Sequence, residues 1–162
     1  MKILVVASAM LTALSLQVSA ESCPNLTGSY MNCTATAFAQ IFPVSIQISQ
    51  YGKTYQIYET YSDGTSSNTA VIADGPPVTV ATNDPQVGKL VTITQTNCGN
   101  NQLVTKVKNI QTGLITYSMT VLNTTPQGLA LRLWLDDMTP NISPSSTPDA
   151  ILSCPLQSQG SY

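Results

Sequence analysis

The feature that most constrains this chain is the stretch Lys89–Asp136, where apolar and polar residues alternate in short runs separated by turn residues. Side chains alternate across a β-strand, so each run predicts a half-buried strand over a core. The residues between the runs tolerate positive φ or favour a bend. The stretch therefore predicts four strands of an antiparallel meander joined by three turns: Gly99-Asn100-Asn101, Gln111-Thr112-Gly113 and Pro126-Gln127-Gly128.

The last run has the strictest alternation, with leucine at every second position from Leu129 to Leu135. Because the period is two, its two sets of side chains must lie on opposite faces of the sheet. We expect Leu129, Leu131 and Leu133 to point into the core, and Arg132 and Trp134 to point outward or to a rim.

Shorter runs before this stretch also have strand character. They are Leu26–Thr34, Val44–Gln50, Thr54–Tyr61, Thr69–Ala73 and Val78–Ala81, the last limited by Pro76 and Pro77 to a short edge strand at most. Eight or nine short strands without long crossovers predict an all-β fold, an antiparallel up-and-down meander barrel of about eight strands. The interior of such a barrel is either filled by its own side chains or holds one small ligand.

The two ends of the chain read differently from this domain, which we place at residues 21–137. Met1–Ala20 has a basic start at Lys2, an apolar run and a small-residue cleavage pattern at Val18-Ser19-Ala20, which predicts a cleaved signal peptide. The run is too short to span a membrane, and we expect no membrane span in the mature chain. The protein is therefore expected to be secreted or periplasmic. Residues 138–162 are rich in proline, serine and threonine and predict an extended tail anchored at Cys154.

The charge of the chain excludes some partners. Without Lys2, five of the six basic residues remain against eight acidic ones, a net charge of −3. This balance offers no electrostatic footprint for nucleic acid, and none for an anionic membrane surface. The oligomeric state cannot be derived from these numbers.

All four cysteines follow the predicted signal, and an even count in an oxidising compartment predicts two disulfides. No pair has zinc-ligand spacing and the chain lacks histidine, so we expect no metal site. Nine residues of extended strand would hold Cys23 and Cys33 roughly 30 Å apart, beyond the reach of a disulfide. In an eight-stranded barrel that excludes Val78–Ala81, strand directions predict Cys33–Cys98 and Cys23–Cys154. If Val78–Ala81 is a full strand, the directions reverse and Cys23–Cys98 is preferred.

Catalysis is poorly provided for. The absence of histidine excludes nucleophiles that histidine activates, and most carboxylates fall in turns. We therefore expect neither an enzyme nor a cofactor. Glu59 is an exception because alternation places it beside Tyr55, Ile57 and Tyr61, where it could anchor a ligand or simply lie at an open rim.

Tyrosine is the clearest indication of a binding function, because it joins an apolar body to a hydrogen-bonding tip. This indication comes from Tyr30, Tyr55, Tyr58, Tyr61 and Tyr117. Of these, Tyr30, Tyr55 and Tyr117 are the ligand-binding candidates, together with Glu59. Ordinary filling of strands explains the same tyrosines equally well.

One short stretch, the first predicted strand, carries two family resemblances. Leu26-Thr27-Gly28-Ser29-Tyr30 resembles the first-strand Gly-x-Trp signature of lipocalin-like barrels, with Tyr30 in place of tryptophan. This resemblance implies a meander barrel that binds a small apolar molecule. The same strand is similar to the Leu-Thr-Gly-x-Trp-x-Asn strand of the avidin family, which implies a ligand contact for Asn32. The further tryptophans of that family's site reduce here to Trp134.

Two function classes follow from these observations. The first is an exported lipocalin-like barrel that binds a small apolar ligand through Tyr30, Asn32, Tyr55, Glu59 and Tyr117. The second is an exported structural or interaction protein whose barrel is filled and holds no ligand.

Overall fold

A computed structural model of the chain describes residues 23–36, 41–84, 88–138, 140, 142–143 and 146–157. The predicted signal peptide lies outside these residues. The described part contains eleven β-strands. They are β1 (Gly28–Met31), β2 (Thr34–Thr36), β3 (Pro43–Tyr51), β4 (Thr54–Tyr61), β5 (Ser66–Ile72), β6 (Val78–Asp84), β7 (Gly88–Gly99), β8 (Gln102–Gln111), β9 (Leu114–Thr125), β10 (Gly128–Asp137) and β11 (Ala150–Pro155).

The strands form two antiparallel sheets in meander order, which confirms the predicted all-β class. One sheet has the order β1-β3-β4-β5, and the other has the order β2-β11-β10-β9-β8-β7-β6. Neither sheet closes on itself, and β5 and β6 are edge strands. Closure into a single barrel is therefore not confirmed. None of the described residues forms a helix with the length and apolarity that crossing a membrane requires.

The first predicted strand is broken at Asn32, which has a φ of 54°. Such a left-handed residue interrupts the pleat, so the chain leaves the first sheet at Met31 and enters the second as β2. The amide of Cys33 donates to the carbonyl of Val44, and Tyr30 forms an isolated bridge with Leu156. The broken strand thus joins the two sheets along one side.

Two further strands differ from the expectation. Val78–Ala81, predicted as at most a short edge strand, belongs to the seven-residue strand β6, which pairs along its length with β7. Ala150–Pro155, predicted as part of an extended tail, forms β11 between β2 and β10. Its alternating burial shows that it contributes to the core.

The pairing Cys33–Cys98 with Cys23–Cys154, predicted for an eight-strand count, is wrong. The alternative pair Cys23–Cys98, expected if Val78–Ala81 is a full strand, is confirmed. The structure pairs Cys23 with Cys98, whose Cα atoms are 5.0 Å apart, and Cys33 with Cys154, whose Cα atoms are 4.1 Å apart. The physical reason is strand direction: β6 is a full strand, so every later strand runs opposite to the direction that an eight-strand count assigns. Two disulfides fit an oxidising, extracellular compartment.

The main core joins apolar side chains of both sheets. Tyr55, Ile46 and Ile48 of the four-stranded sheet are at most 2% exposed, as are Leu103 and Leu129 of the seven-stranded sheet. Leu131 packs against this core, so the inward direction predicted for Leu129 and Leu131 is confirmed. The space between the sheets at this end is filled by the protein's own side chains.

A second, smaller core lies on the opposite face of the seven-stranded sheet, which we call the outer face. The β9–β10 register determines which residues share this outer face: Leu131 pairs with Leu122, whereas Trp134 pairs with Met119. The apolar side chains of Met119 and Val121 therefore share a face with Trp134 and not with the inward leucines. Trp134 points outward as predicted, but it is buried, because Ile142 of the C-terminal segment packs in the same cluster.

Candidate functional site

Two of the predicted ligand-binding residues, Tyr30 and Tyr55, lie inside the main core. The hydroxyl of Tyr30 donates to the carbonyl of Leu26 at 2.9 Å, and that of Tyr55 donates to the carbonyl of Pro24 at 2.7 Å. Burial raises the pKa of both phenols, because the charged phenolate is poorly solvated there. Both donors are engaged within the protein, where they hold the segment before β1 against the core.

Glu59 is half-buried on the four-stranded sheet, on the same strand face as Tyr55. Its carboxylate accepts hydrogen bonds from the hydroxyl of Tyr61 at 2.8 Å and from that of Ser67 at 3.0 Å. Burial raises the pKa of Tyr61, and the hydrogen bond to the neighbouring carboxylate adds to this rise. Glu59 is thus held in a fixed rotamer by two neutral donors.

Asn32 is exposed at the break between β1 and β2. It borders a hollow of about 410 Å³ that also contacts Thr34, Gln127 and Ser153. Five of its nine lining residues are polar, a larger share than is usual for a ligand pocket.

Tyr117 lies on the outer face of the seven-stranded sheet, with the Nζ atom of Lys108 5.9 Å from its ring centroid. The five predicted residues therefore do not converge on one site. In the part of the chain that the structure describes, Tyr117 borders an apolar groove, and this groove is the candidate site.

Two cross-strand rows form the floor of the groove. In the first row, Lys106 of β8 lies between Gln95 of β7 and Met119 of β9. In the second row, Lys108 lies between Ile93 and Tyr117. Residues directly opposite one another on neighbouring strands share a face, so all six side chains project to the outer side.

The walls of the groove come from two segments outside these strands. Pro140 and Ile142 belong to the segment between β10 and β11, and Pro77 precedes β6 at the sheet edge. Ile142 is 8% exposed because it packs with Met119 and Trp134. The groove is open to solvent on one side and has a volume of about 240 Å³.

A second hollow of about 440 Å³ lies on the other side of Ile142, between Trp134 and Asp149. Serine and threonine provide much of its lining. The amide of Leu135 donates to the carboxylate of Asp149 at 2.7 Å, which ties the C-terminal segment to β10. The indole N–H of Trp134 is buried and has no hydrogen-bond partner among the described residues.

Among the residues that the structure describes, one cluster has the composition of a metal site, namely Cys23, Asp74 and Cys98. Its two sulfur atoms form a disulfide and are not thiolates, so a single carboxylate remains as a ligand. That carboxylate accepts from the amide of Cys98 at 2.9 Å and pairs with Lys53 at 2.7 Å. The hydrogen bond from Lys53 is the main reason that the pKa of Asp74 is lowered. The cluster ties the β5–β6 connection to β7.

The fold and site together define an antiparallel two-sheet β-protein with two disulfides and an apolar groove on its outer face. No protein-family model matches the chain, and neither curated proteins nor solved structures provide a match. The resemblances to lipocalins and avidins are thus neither supported nor contradicted.

Three residues of the groove, Lys106, Lys108 and Met119, are not among the ligand-binding residues predicted from the sequence. A signal for them exists, because the tight turn at Thr112-Gly113 sets the β8–β9 register and places the two lysines opposite Met119 and Tyr117. No sequence signal places Ile142 over this face, since its position depends on the path of the segment after β10.

Proposed function

We propose that this is an exported protein that binds a small apolar ligand, and that the ligand lies in the outer-face groove and not between the sheets. The observation that carries the proposal is the groove itself. By strand register the side chains of Val107 and Ser118 point to the other face of the sheet. Of the nine other lining residues, six are apolar or aromatic, and a few polar groups stand among them. This is the usual composition of a ligand pocket.

The interior of the fold supports this location. Side chains such as Tyr55, Ile46 and Leu103 fill the space that a lipocalin-like ligand would occupy. The outer groove has about 240 Å³ instead. Since an apolar cavity of about 150 Å³ is known to hold benzene, this volume accommodates roughly ten heavy atoms. A bicyclic aromatic body or a short branched chain has this size.

A lipocalin-like relationship is part of the proposal. Apart from the missing β5–β6 pair, neighbouring strands follow meander order, and the β1–β2 strand lies beside β11. A barrel opened between β5 and β6 has this arrangement. We propose no enzymatic activity, since the chain has no histidine and the groove presents no described nucleophile–base pair.

The test uses 2-naphthalenemethanol, a neutral probe of suitable size, with thermal unfolding as the measurement. At ten times its Kd, a ligand that binds only the folded state stabilises it by about 1.4 kcal/mol, which corresponds to about 4–5 °C. The variant Gln95→Trp places an indole in the groove and should abolish this shift. Asn97→Trp is the matched control, because Asn97 is also exposed on β7, on the same face, but lies outside the groove.

Native mass spectrometry of the purified protein adds a second measurement, the mass of any retained small molecule. A shift that is equal in wild type and Gln95→Trp would place the probe elsewhere. Absence of both a shift and a retained molecule would refute ligand binding.

The second candidate, a structural or interaction protein with a filled core, is favoured by the two edge strands. Ile72 of β5 is 62% exposed, and Val78 and Val80 of β6 are 59% and 53% exposed. Unpaired edges with exposed apolar residues are sites for strand pairing with another chain. Size-exclusion chromatography with light scattering distinguishes the candidates, since pairing through these edges predicts a dimer that Val80→Lys returns to a monomer.

A further inference from the structure

We propose that the ligand of the outer-face groove carries an anionic head group, a carboxylate or a group of similar charge, which Lys106 and Lys108 bind. This inference rests on the proposed function, because it assigns the chemical class of the molecule that the groove takes. The apolar body would lie on Ile93 and Tyr117, beside the wall that includes Ile142, and the acidic group would lie at the lysines.

The first observation is the uneven distribution of positive charge. Without Lys2 the chain has only five basic residues, and its net charge is negative. Strand parity places Lys89, Lys106, Lys108 and Arg132 on the outer face of the seven-stranded sheet. The fifth, Lys53, pairs with Asp74, which belongs to the β5–β6 connection. An acidic protein thus concentrates its cations on the face that holds the groove.

The second observation is how the two groove lysines are held. Residues i and i+2 of a strand point to the same side, so Lys106 and Lys108 stand next to each other on β8. Lysine covers apolar surface with its methylene chain and keeps the ammonium group in water. Here the ring of Tyr117 lies beneath the Nζ atom of Lys108. The groove therefore combines an apolar floor with two ammonium groups at its edge.

The third observation concerns the acidic side chains that the structure describes. Neither groove lysine has an ion-pair partner among them. Glu59 accepts hydrogen bonds on the four-stranded sheet, and Asp149 accepts one from the amide of Leu135. Asp137 pairs through its backbone with Tyr117 at the end of β10. The experiment below therefore includes the variant Asp137→Asn.

Three probes with one aromatic body and different charges test the inference: 2-naphthoate, 2-naphthalenemethanol and 2-naphthylmethylammonium. Affinities are measured by isothermal titration calorimetry at pH 7, at about 20 mM and about 500 mM salt. Two half-exposed ion pairs correspond to about two- to thirtyfold in affinity, so 2-naphthoate should bind tighter than the alcohol by this factor. High salt should reduce the preference, because it screens exposed charges.

The variants locate the charge effect. The double substitution Lys106→Gln with Lys108→Gln should remove the preference for 2-naphthoate, so that this variant binds 2-naphthoate and 2-naphthalenemethanol with equal affinity. Lys89→Gln is the matched control, since Lys89 is exposed on the same face but outside the groove. Asp137→Asn should leave the affinity for 2-naphthoate unchanged or raise it.

The outcomes separate this inference from the proposed function. Binding of the alcohol as tightly as of 2-naphthoate, or tighter binding of the ammonium probe, overturns the anionic head group but keeps the apolar site. A loss of 2-naphthoate preference on Lys89→Gln, or on Asp137→Asn, also overturns it. If none of the three probes binds, the proposed function itself fails.

Discussion

Ile142 belongs to the segment between β10 and β11 and forms part of the wall of the outer-face groove. Its replacement therefore gives the sharpest test of how this segment packs on the sheet. The side chain is 8% exposed and packs with Met119, Val121 and Trp134. It also separates the groove of about 240 Å³ from the neighbouring hollow of about 440 Å³. Substitution Ile142→Ala removes this wall.

The expected loss of stability follows from the burial. Ile→Ala deletes three carbon atoms, each worth about 0.8 kcal/mol when buried, so the transfer part is about 2.4 kcal/mol. A sealed cavity would add to this, but the site opens to hollows on both sides, which solvent can enter. We expect a decrease of about 2 kcal/mol in the free energy of unfolding. For a chain of this size, this is a decrease in Tm of about 6–8 °C.

The assay has two readings. Thermal unfolding followed by circular dichroism gives Tm, and fluorescence reports on Trp134, the only tryptophan of the chain. Trp134 is 4% exposed beneath the C-terminal segment, so the loss of Ile142 should shift its emission to the red. The matched control is Ile72→Ala, since Ile72 is 62% exposed and its truncation should change Tm by less than about 2 °C.

An Ile142→Ala protein with wild-type Tm and an unchanged emission spectrum would refute this packing, and with it the wall of the groove. A red shift without a change in Tm would show that the C-terminal segment is held locally and contributes little to global stability.

Three further predictions concern the frame that supports the groove. Non-reducing peptide mapping should recover two linked pairs, Cys23–Cys98 and Cys33–Cys154, and a peptide that joins Cys33 to Cys98 would contradict the strand directions. Gly128→Ala should lower the free energy of unfolding in urea by more than about 3 kcal/mol, because φ is 138° and a Cβ atom would lie 2.2 Å from the carbonyl oxygen of Cys154. The control Gly113→Ala, where φ is positive but the surroundings are open, should cost about 1 kcal/mol. Equal effects of the two substitutions would exclude the close contact at Gly128. Tyr55→Phe should cost about 1–3 kcal/mol, since it leaves a buried carbonyl unpaired, whereas the exposed Tyr58→Phe should change little. Because the pKa of Tyr55 is raised in the folded protein, the contribution of its neutral phenol to the free energy of unfolding is complete below the usual tyrosine pKa of about 10. This contribution is lost as pH rises through the folded-state pKa, so destabilisation above pH 10 should be smaller in Tyr55→Phe than in wild type.

Much of the strand pattern was predictable because alternation and turn chemistry are local properties. Thr54–Tyr61 was predicted with the bounds that the structure has. The turns after β7 and β8 have the positive φ that their residues predict, at Asn100, Asn101 and Gly113. Asn32 was the exception, because a single left-handed residue inside an alternating run leaves no break in the pattern of apolar residues.

The ligand-binding residues were less predictable than the strands. Tyrosine has the same local pattern whether its hydroxyl is bound to a carbonyl in the core, as in Tyr55, or lies on an open face, as in Tyr117. Which of the two applies depends on what packs over the strand. Residues distant in sequence decide this, so the five predicted residues were chosen by type and not by shared location.

The sequence by itself determined the all-β class, the number of disulfides and the tight turns, because each depends on composition or on a few adjacent residues. It also predicts the export signal. For β9, only the tertiary structure decided which face of the strand is inside. Alternation defines two faces without saying which one meets the core, and the β9–β10 register places Leu131 inside while Met119 lies outside beside Trp134. The disulfide pairing depended in the same way on whether β6 pairs fully with β7, because one added strand reverses the direction of all that follow. The groove exists for a third nonlocal reason: Ile142, which lies between β10 and β11 in sequence, is buried on the outer face.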